Sequence, residues 1–294
     1  MLSGGSEVIS AGGTASGGTV ASGGSEIVRG TASGGTVAKG GHQRISAGGA
    51  VSGATVKSGG SQTVLSGGVA HGTVLSGGTE IVSAGGRASG TTLSKGGTEI
   101  VHGKASGGTI NGGLIEVASG GTASGTVTFI SGGTLQLDAG AGFTGAIKGF
   151  TGPSPVDRID LRGIAFSSSG TMRKFVEAAS NTSGTLTVTS GTHTVHLTLL
   201  GKYTTSNFKL ATDGHGGTLV TDPPAAAAAS RTTFNDIAPA RPLAGAAIPT
   251  GLLSCVTGAI ADNKHACAGQ TLLETGPPGE PGGSGHNPLL GVPR

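Results

Sequence analysis

The 294-residue chain has no tryptophan, one tyrosine and two cysteines, and only 11% of its residues are charged. Each scarcity removes a class of reading. Without Trp, and with Tyr203 alone, the chain offers no aromatic platform on which bases or sugar rings could stack. The net charge is +3, and residues 1–139 hold Arg29, Lys39, Arg44, Lys57, Arg87, Lys95 and Lys104 against almost as many carboxylates. No basic stripe forms, so nucleic acid is excluded as a partner. No run approaches the roughly 20 apolar residues of a membrane helix, which excludes insertion by that route. Cys255 and Cys267 lack a neighbouring Cys-x-x-Cys pair, so no zinc site is expected; a disulfide between them would staple a tail.

Glycine, by contrast, is abundant, with 61 residues. It has no strict three-residue period, which rules out a collagen-like chain. Instead a Gly-Gly pair recurs at Gly4, Gly23, Gly40, Gly59, Gly77, Gly96, Gly112 and Gly132, every 16 to 20 residues or so. Such a period belongs to a solenoid, whose coils cannot bury a core alone and must stack on their neighbours.

Aligning the coils gives columns. One reads Ile9, Val28, Ile45, Val64, Val82, Val101, Val117, Leu137. A second reads Val20, Val37, Val56, Val74, Leu93, Ile110, Val127, and a third Ala15, Ala32, Val51, Ala70, Ala88, Ala105, Ala123. No position in them is polar, so all three are expected to point inward, with the alanines where the walls come close. β-Branched residues suit pleated strands. The expected fold is all-β: a right-handed parallel β-solenoid (β-helix) of about seven coils over residues 1–139. At about 4.8 Å per coil the rod is roughly 34 Å long. Glu7, Glu26, Gln43, Gln62, Glu80 and Glu99 lie two residues before the first column. Strict alternation sends them inward, but stacked buried carboxylates are costly, so they are expected to face solvent. The column becomes Ile115 and then Leu135, read as the rod thickening toward a cap.

The period fails after Leu137. Residues 140–222 are expected to form a small β cap module, with strands near 158–161, 184–189, 194–200, 208–210 and 217–220, and a hairpin turn at Ser190-Gly191-Thr192. The segment near Met172 reads as a strand or a single helical turn. From Pro223 the chain turns Pro/Ala/Gly-rich without a period, so residues 223–294 are expected to be a disordered tail, native or foreign. The chain opens in mid-coil with no secretory signal pattern, so its start is expected to be truncated or its export to use another route.

Candidate sites are few. Asp213-Gly214-His215-Gly216-Gly217-Thr218 has the look of a calcium-binding turn, but such arrays repeat every nine residues or so and a tight turn explains it better. His193 and His196 fall on opposite faces of a strand. The acids of the rod are single residues repeated coil after coil, whereas catalysis needs convergent groups at one place. No catalytic, cofactor or metal site is expected, and the reading is of a non-enzyme. The regular feature is a serine column, Ser16, Ser33, Ser52, Ser89, Ser106 and Ser124, interrupted by His71. It runs beside Thr19, Thr36, Thr55, Thr73, Thr92, Thr109 and Thr126. Hydroxyls at turns satisfy local backbone groups; these also form an evenly spaced set of acceptors for covalent modification.

Units such as Ser22-Gly23-Gly24-Ser25-Glu26-Ile27-Val28, Gly34-Gly35-Thr36-Val37 and Ser76-Gly77-Gly78-Thr79-Glu80-Ile81-Val82 resemble the strand-loop-strand repeat of AIDA-type autotransporter passenger domains. The resemblance covers about residues 3–139. It implies a surface or secreted adhesin-like passenger, acting in adhesion, autoaggregation or biofilm formation. Its partners would be a host or bacterial surface receptor or further copies of itself. It also implies O-glycosylation of loop Ser/Thr by a heptosyltransferase, with the six serines or the adjacent loop threonines as the sites. An almost cysteine-free repeat fits bacterial export. Two features depart from the family pattern: neither a translocator barrel nor a long signal peptide is visible, so adhesion is inherited from the resemblance. The alternative is a passive stalk that spaces a domain missing from this chain.

Overall fold

The structure is a computed structural model that describes residues 4–152 and 156–222. The tail from residue 223, with both cysteines, lies outside the described residues, and so does the expectation of its disorder. The chain winds into a parallel β-solenoid of about eight turns. Its first wall stacks Ser6–Ile9, Ser25–Val28, His42–Ile45, Ser61–Val64, Thr79–Val82, Thr98–Val101, Leu114–Val117, Gly133–Leu137 and Asp157–Leu161 in parallel. The second wall stacks Thr14–Ser16, Thr31–Ser33, Ala50–Ser52, Val69–His71, Arg87–Leu93, Lys104–Ile110 and Thr122–Phe129, with Ala146–Lys148 following. The loss of the glycine period after Leu137 therefore does not end the stack, which continues to Leu161.

The register is strict, and it explains the core. Ile9, Val28, Ile45, Val64, Val82, Val101 and Val117 sit directly over one another and are buried. The alanine column also stacks as expected, with Phe143 taking its place after Ala123. The second column needs a correction in two coils. Leu75, not Val74, lies between Val56 and Leu93 and is fully buried, whereas Val74 aligns with Thr55 and Thr92 and faces out. Near the cap, Phe129 rather than Val127 follows Ile110, because the pairing shifts by a residue between Ser106 and Gly108.

Each corner uses its two glycines for different reasons. At Gly48-Gly49 the first residue takes a φ of +78°, and a Cβ there would make only an ordinary contact, 3.9 Å from the Arg29 carbonyl oxygen. The second has an ordinary φ, but its Cβ would collide with the Val28 carbonyl oxygen of the coil before. Left-handed backbone and close approach are separate demands that glycine alone meets together.

Past the solenoid the pairing turns antiparallel. Thr218–Thr221 pairs with Asp157–Leu161 and Lys209–Thr212 follows it, while in the second wall His193–Leu200 still joins Ala146–Lys148 in parallel and Ser183–Ser190 and Thr171–Glu177 then follow antiparallel. The hairpin turn expected at Ser190-Gly191-Thr192 is present, and the stretch around Met172 is a strand. The few aromatics gather at this end. Phe129, Phe150, Phe175, Phe208 and Tyr203 form a cluster with ring centroids 5.5 to 6.4 Å apart, and Phe150 and Phe208 are fully buried. Bulky rings close a rod end that ladders of Ala and Val would leave open.

Candidate functional site

Two hydroxyl-bearing columns come out of this register, one outside and one inside. Outside, Ser16, Ser33, Ser52, His71, Ser89, Ser106 and Ser124 are Cα partners in successive coils. Each follows the buried alanine column by one residue, so strand alternation turns its side chain to solvent. Five of the six serines are exposed and Ser89 is half-buried. His71 interrupts the column as the spacing predicts, and its Nδ1 lies 2.9 Å from Ser89 Oγ. Ser124 Oγ donates to the Ala105 carbonyl at 3.4 Å. Ser16, Ser33, Ser52 and Ser106 make no side-chain hydrogen bond among the described residues. The flanking threonines Thr19, Thr36, Thr55, Thr92 and Thr109 stand in register beside them and Thr126 is exposed, but Thr73 is buried.

Thr73 belongs to the second, interior column, where the expectation of a solvent-facing Glu/Gln row fails. Glu7 is exposed, but Glu26, Gln43, Gln62, Glu80 and Glu99 are all buried. The cost of burial is met by stacking in register, which sets each polar end beside the next. Gln43 Nε2 donates to Glu26 Oε2, and Gln62 Nε2 donates to Gln43 Oε1 at 2.5 Å. The second wall completes the row. Thr73 Oγ1 lies 3.0 Å from Gln62 Oε1 and 3.2 Å from Glu80 Oε1, and Thr91 Oγ1 lies 3.0 Å from Glu80 Oε2 and 3.3 Å from Glu99 Oε1. Where the facing positions are Gly18 and Gly35, a cavity of about 50 Å³ remains beside Glu26 and Gln43. That is room for roughly one water, which would occupy the place of the threonine hydroxyl. Burial raises the carboxyls of Glu26 and Glu99, and pushes Glu80 up to about 7.

Elsewhere the geometry is quieter. Asp213 Oδ1 accepts the backbone N–H groups of His215 and Gly217 at 2.7 and 2.8 Å in a tight turn before the last strand, while its Oδ2 is buried without a partner. His196 Nδ1 lies 3.1 Å from Thr187 Oγ1 of the adjacent strand. Among the described residues no group of three or more His, Cys, Asp or Glu could hold a metal ion, and no helix is long and apolar enough to cross a membrane. A corner groove of about 540 Å³ carries Lys95, Asn111 and Arg158, with no carboxylate among its described lining residues.

Neither a family model nor a curated protein matches this chain. Among solved structures, a TibC-catalysed hyper-glycosylated fragment of TibA is similar, at 33% identity and a TM-score of 0.41. The likeness spans 50% of this chain and 60% of that one.

Proposed function

We propose that the solenoid is a non-enzymatic, adhesin-like surface or secreted rod whose exposed serine column is a substrate for O-glycosylation. The observation that carries this reading is the register of Ser16, Ser33, Ser52, Ser89, Ser106 and Ser124, one hydroxyl per coil at a fixed offset from the core. A transferase that reads one coil meets the same backbone shape about 4.8 Å further on, so a single recognition event serves the whole row. The resemblance to AIDA-type passenger repeats, and not the register itself, is what implies a heptosyltransferase as partner and a surface receptor or further copies of the rod as what the finished surface would meet. Glycine follows each serine at the corner, at Gly17, Gly34, Gly53, Gly90, Gly107 and Gly125, so an attached sugar has space on that side.

Intact mass of the full chain, co-expressed with a heptosyltransferase, tests the modification. Several additions of one heptose increment are expected, and replacing the six serines with alanine should remove most of them. A mass equal to that of the bare chain would leave the rod as a passive stalk. Adhesion is tested separately by cell aggregation with the purified rod, and inertness there also favours the stalk.

A further inference from the structure

The interior column permits a count of protons. Four contacts run through Thr73 and Thr91: to Gln62 Oε1, to Glu80 Oε1, to Glu80 Oε2 and to Glu99 Oε1. Each threonine hydroxyl owns one proton, so two of the four contacts must draw a proton from the other side. Gln62 Oε1 is an amide oxygen and has none to give, because Nε2 of the same amide already points at Gln43. Thr73 must therefore donate to Gln62, and the Glu80 carboxyl must donate to Thr73. Thr91 then donates to the other Glu80 oxygen, and Glu99 donates to Thr91. The arrangement is the one in which all four contacts are hydrogen bonds.

We infer that Glu80 and Glu99 are protonated carboxylic acids in a one-way hydrogen-bond chain from Glu99 to Glu26, and that folding of the middle coils takes up both protons. The chain reads Glu99, Thr91, Glu80, Thr73, Gln62, Gln43, Glu26, and every donor points toward the N-terminal coil. The surroundings are consistent with neutrality. Glu80 faces Gln62 from the coil before, Glu99 from the coil after, and Thr73 and Thr91 from the opposite wall. Glu99 faces Glu80, Thr91 and, on the far side, Ile115. The cations of these coils, Arg87, Lys95 and Lys104, are exposed, as are His71 and His102. Glu99 Oε2 is buried with no partner, an arrangement a neutral acid tolerates far better than a carboxylate. The raised carboxyls of Glu80 and Glu99, both set first by burial, agree.

The consequence is a rod that weakens as pH rises. An acid whose folded value lies above its ordinary 4.5 holds its proton longer in the folded state. Stability is then full below about 4.5 and falls as pH climbs, through about 7 for Glu80 and in the same direction for Glu99. Asp222 in the cap, pushed up to about 6 by burial and by Asp157, adds a fall of the same sign at lower pH.

Infrared spectroscopy of the full chain in D₂O separates these contributions. At pH about 7, where Asp222 is mostly ionised, a protonated-carboxyl band is expected that E80Q and E99Q should each diminish. Gln already occupies this column at Gln43 and Gln62, so both variants keep a side chain the stack accepts. Melting of the unaltered chain should fall between pH about 5 and 9, and the E80Q/E99Q double variant should fall less. Bands unchanged by both substitutions, or parallel melting profiles, overturn the proposal. Should the variants not fold, the unaltered chain still decides: a band at pH about 7 that bleaches on raising the pH supports it, and none at that pH overturns it.

Discussion

The coils up to Glu99 and those from Ile115 onward share one backbone register but differ in what fills the space between their walls. In the first set a Glu/Gln column is buried; in the second, Ile115, Leu135 and Ile159 continue the same column as hydrocarbon. The opposite wall changes with it. Facing the polar column at its inner end are Thr73 and Thr91, then Gly108, and then Val127, which pairs with Gly108 and is buried. Threonines meet the acids Glu80 and Glu99, Gly18, Gly35 and Ala54 hold the equivalent positions in earlier coils, and hydrocarbon meets hydrocarbon beyond Ile115. The parallel ladder fixes where side chains go, and the chemistry between the walls is free to change only if both walls change together.

The comparison can be broken most severely in the column that both sets share. Val64 is fully buried between Ile45 and Val82, with no polar partner above or below. Val64→Asp should cost about 4 kcal/mol, read as loss of the folded circular-dichroism signal at lower denaturant. Unchanged melting would remove the inward assignment. At the corners, Gly49→Ala should cost about 3 kcal/mol, because a coil must shift to clear the Val28 carbonyl. Gly48→Ala, with no clash but a left-handed φ, should cost only about 1 kcal/mol; equal losses in urea melts would contradict the division of labour.

Two substitutions sharpen the polar side. Thr91→Val keeps the shape but removes the hydroxyl shared by Glu80 and Glu99, so about 2 kcal/mol should be lost at neutral pH. Glu99→Leu should have the smallest effect, within about 1 kcal/mol near pH 6. It extends the hydrocarbon of Ile115 by one coil and removes an unpartnered buried oxygen, although Thr91 keeps Glu80. At higher pH the same variant should melt above the unaltered chain, since one of the two acids that weaken the rod is gone. A lower melting point there would mean that Glu99 holds the coils together in its ionised form.

The aliphatic columns and the exposed serines were legible in the sequence because each is local: one residue type at one offset within a coil. The Glu/Gln column was not. Alternation from Val28 back to Glu26 pointed inward, but the partners that make burial tolerable are amides in neighbouring coils and threonines on the other wall. Thr73 also explains the misplacement of Val74. The run Gly72-Thr73-Val74-Leu75 repeats the Thr-Val pair of other coils one residue early, and only pairing with Val56 and Leu93 shows that Leu75 is the inward residue. The continuation of the stack past Leu137 was hidden for a different reason. There Phe143 and Phe150 fill volume that corner glycines and alanines had set in earlier coils, so the period disappears while the winding does not.

A rod of near-identical coils has an obvious hazard, because any coil could settle on any other. Matching aliphatic rungs would not object to a coil being skipped. The interior polar row does. Laying the coil of Ile115 directly on that of Gln62 would strand an amide against hydrocarbon, and setting Glu80 on Leu135 would leave its acid without the Thr91 hydroxyl. The polar row thus keeps the Glu/Gln coils apart from the hydrocarbon coils that follow, and fixes where one set gives way to the other.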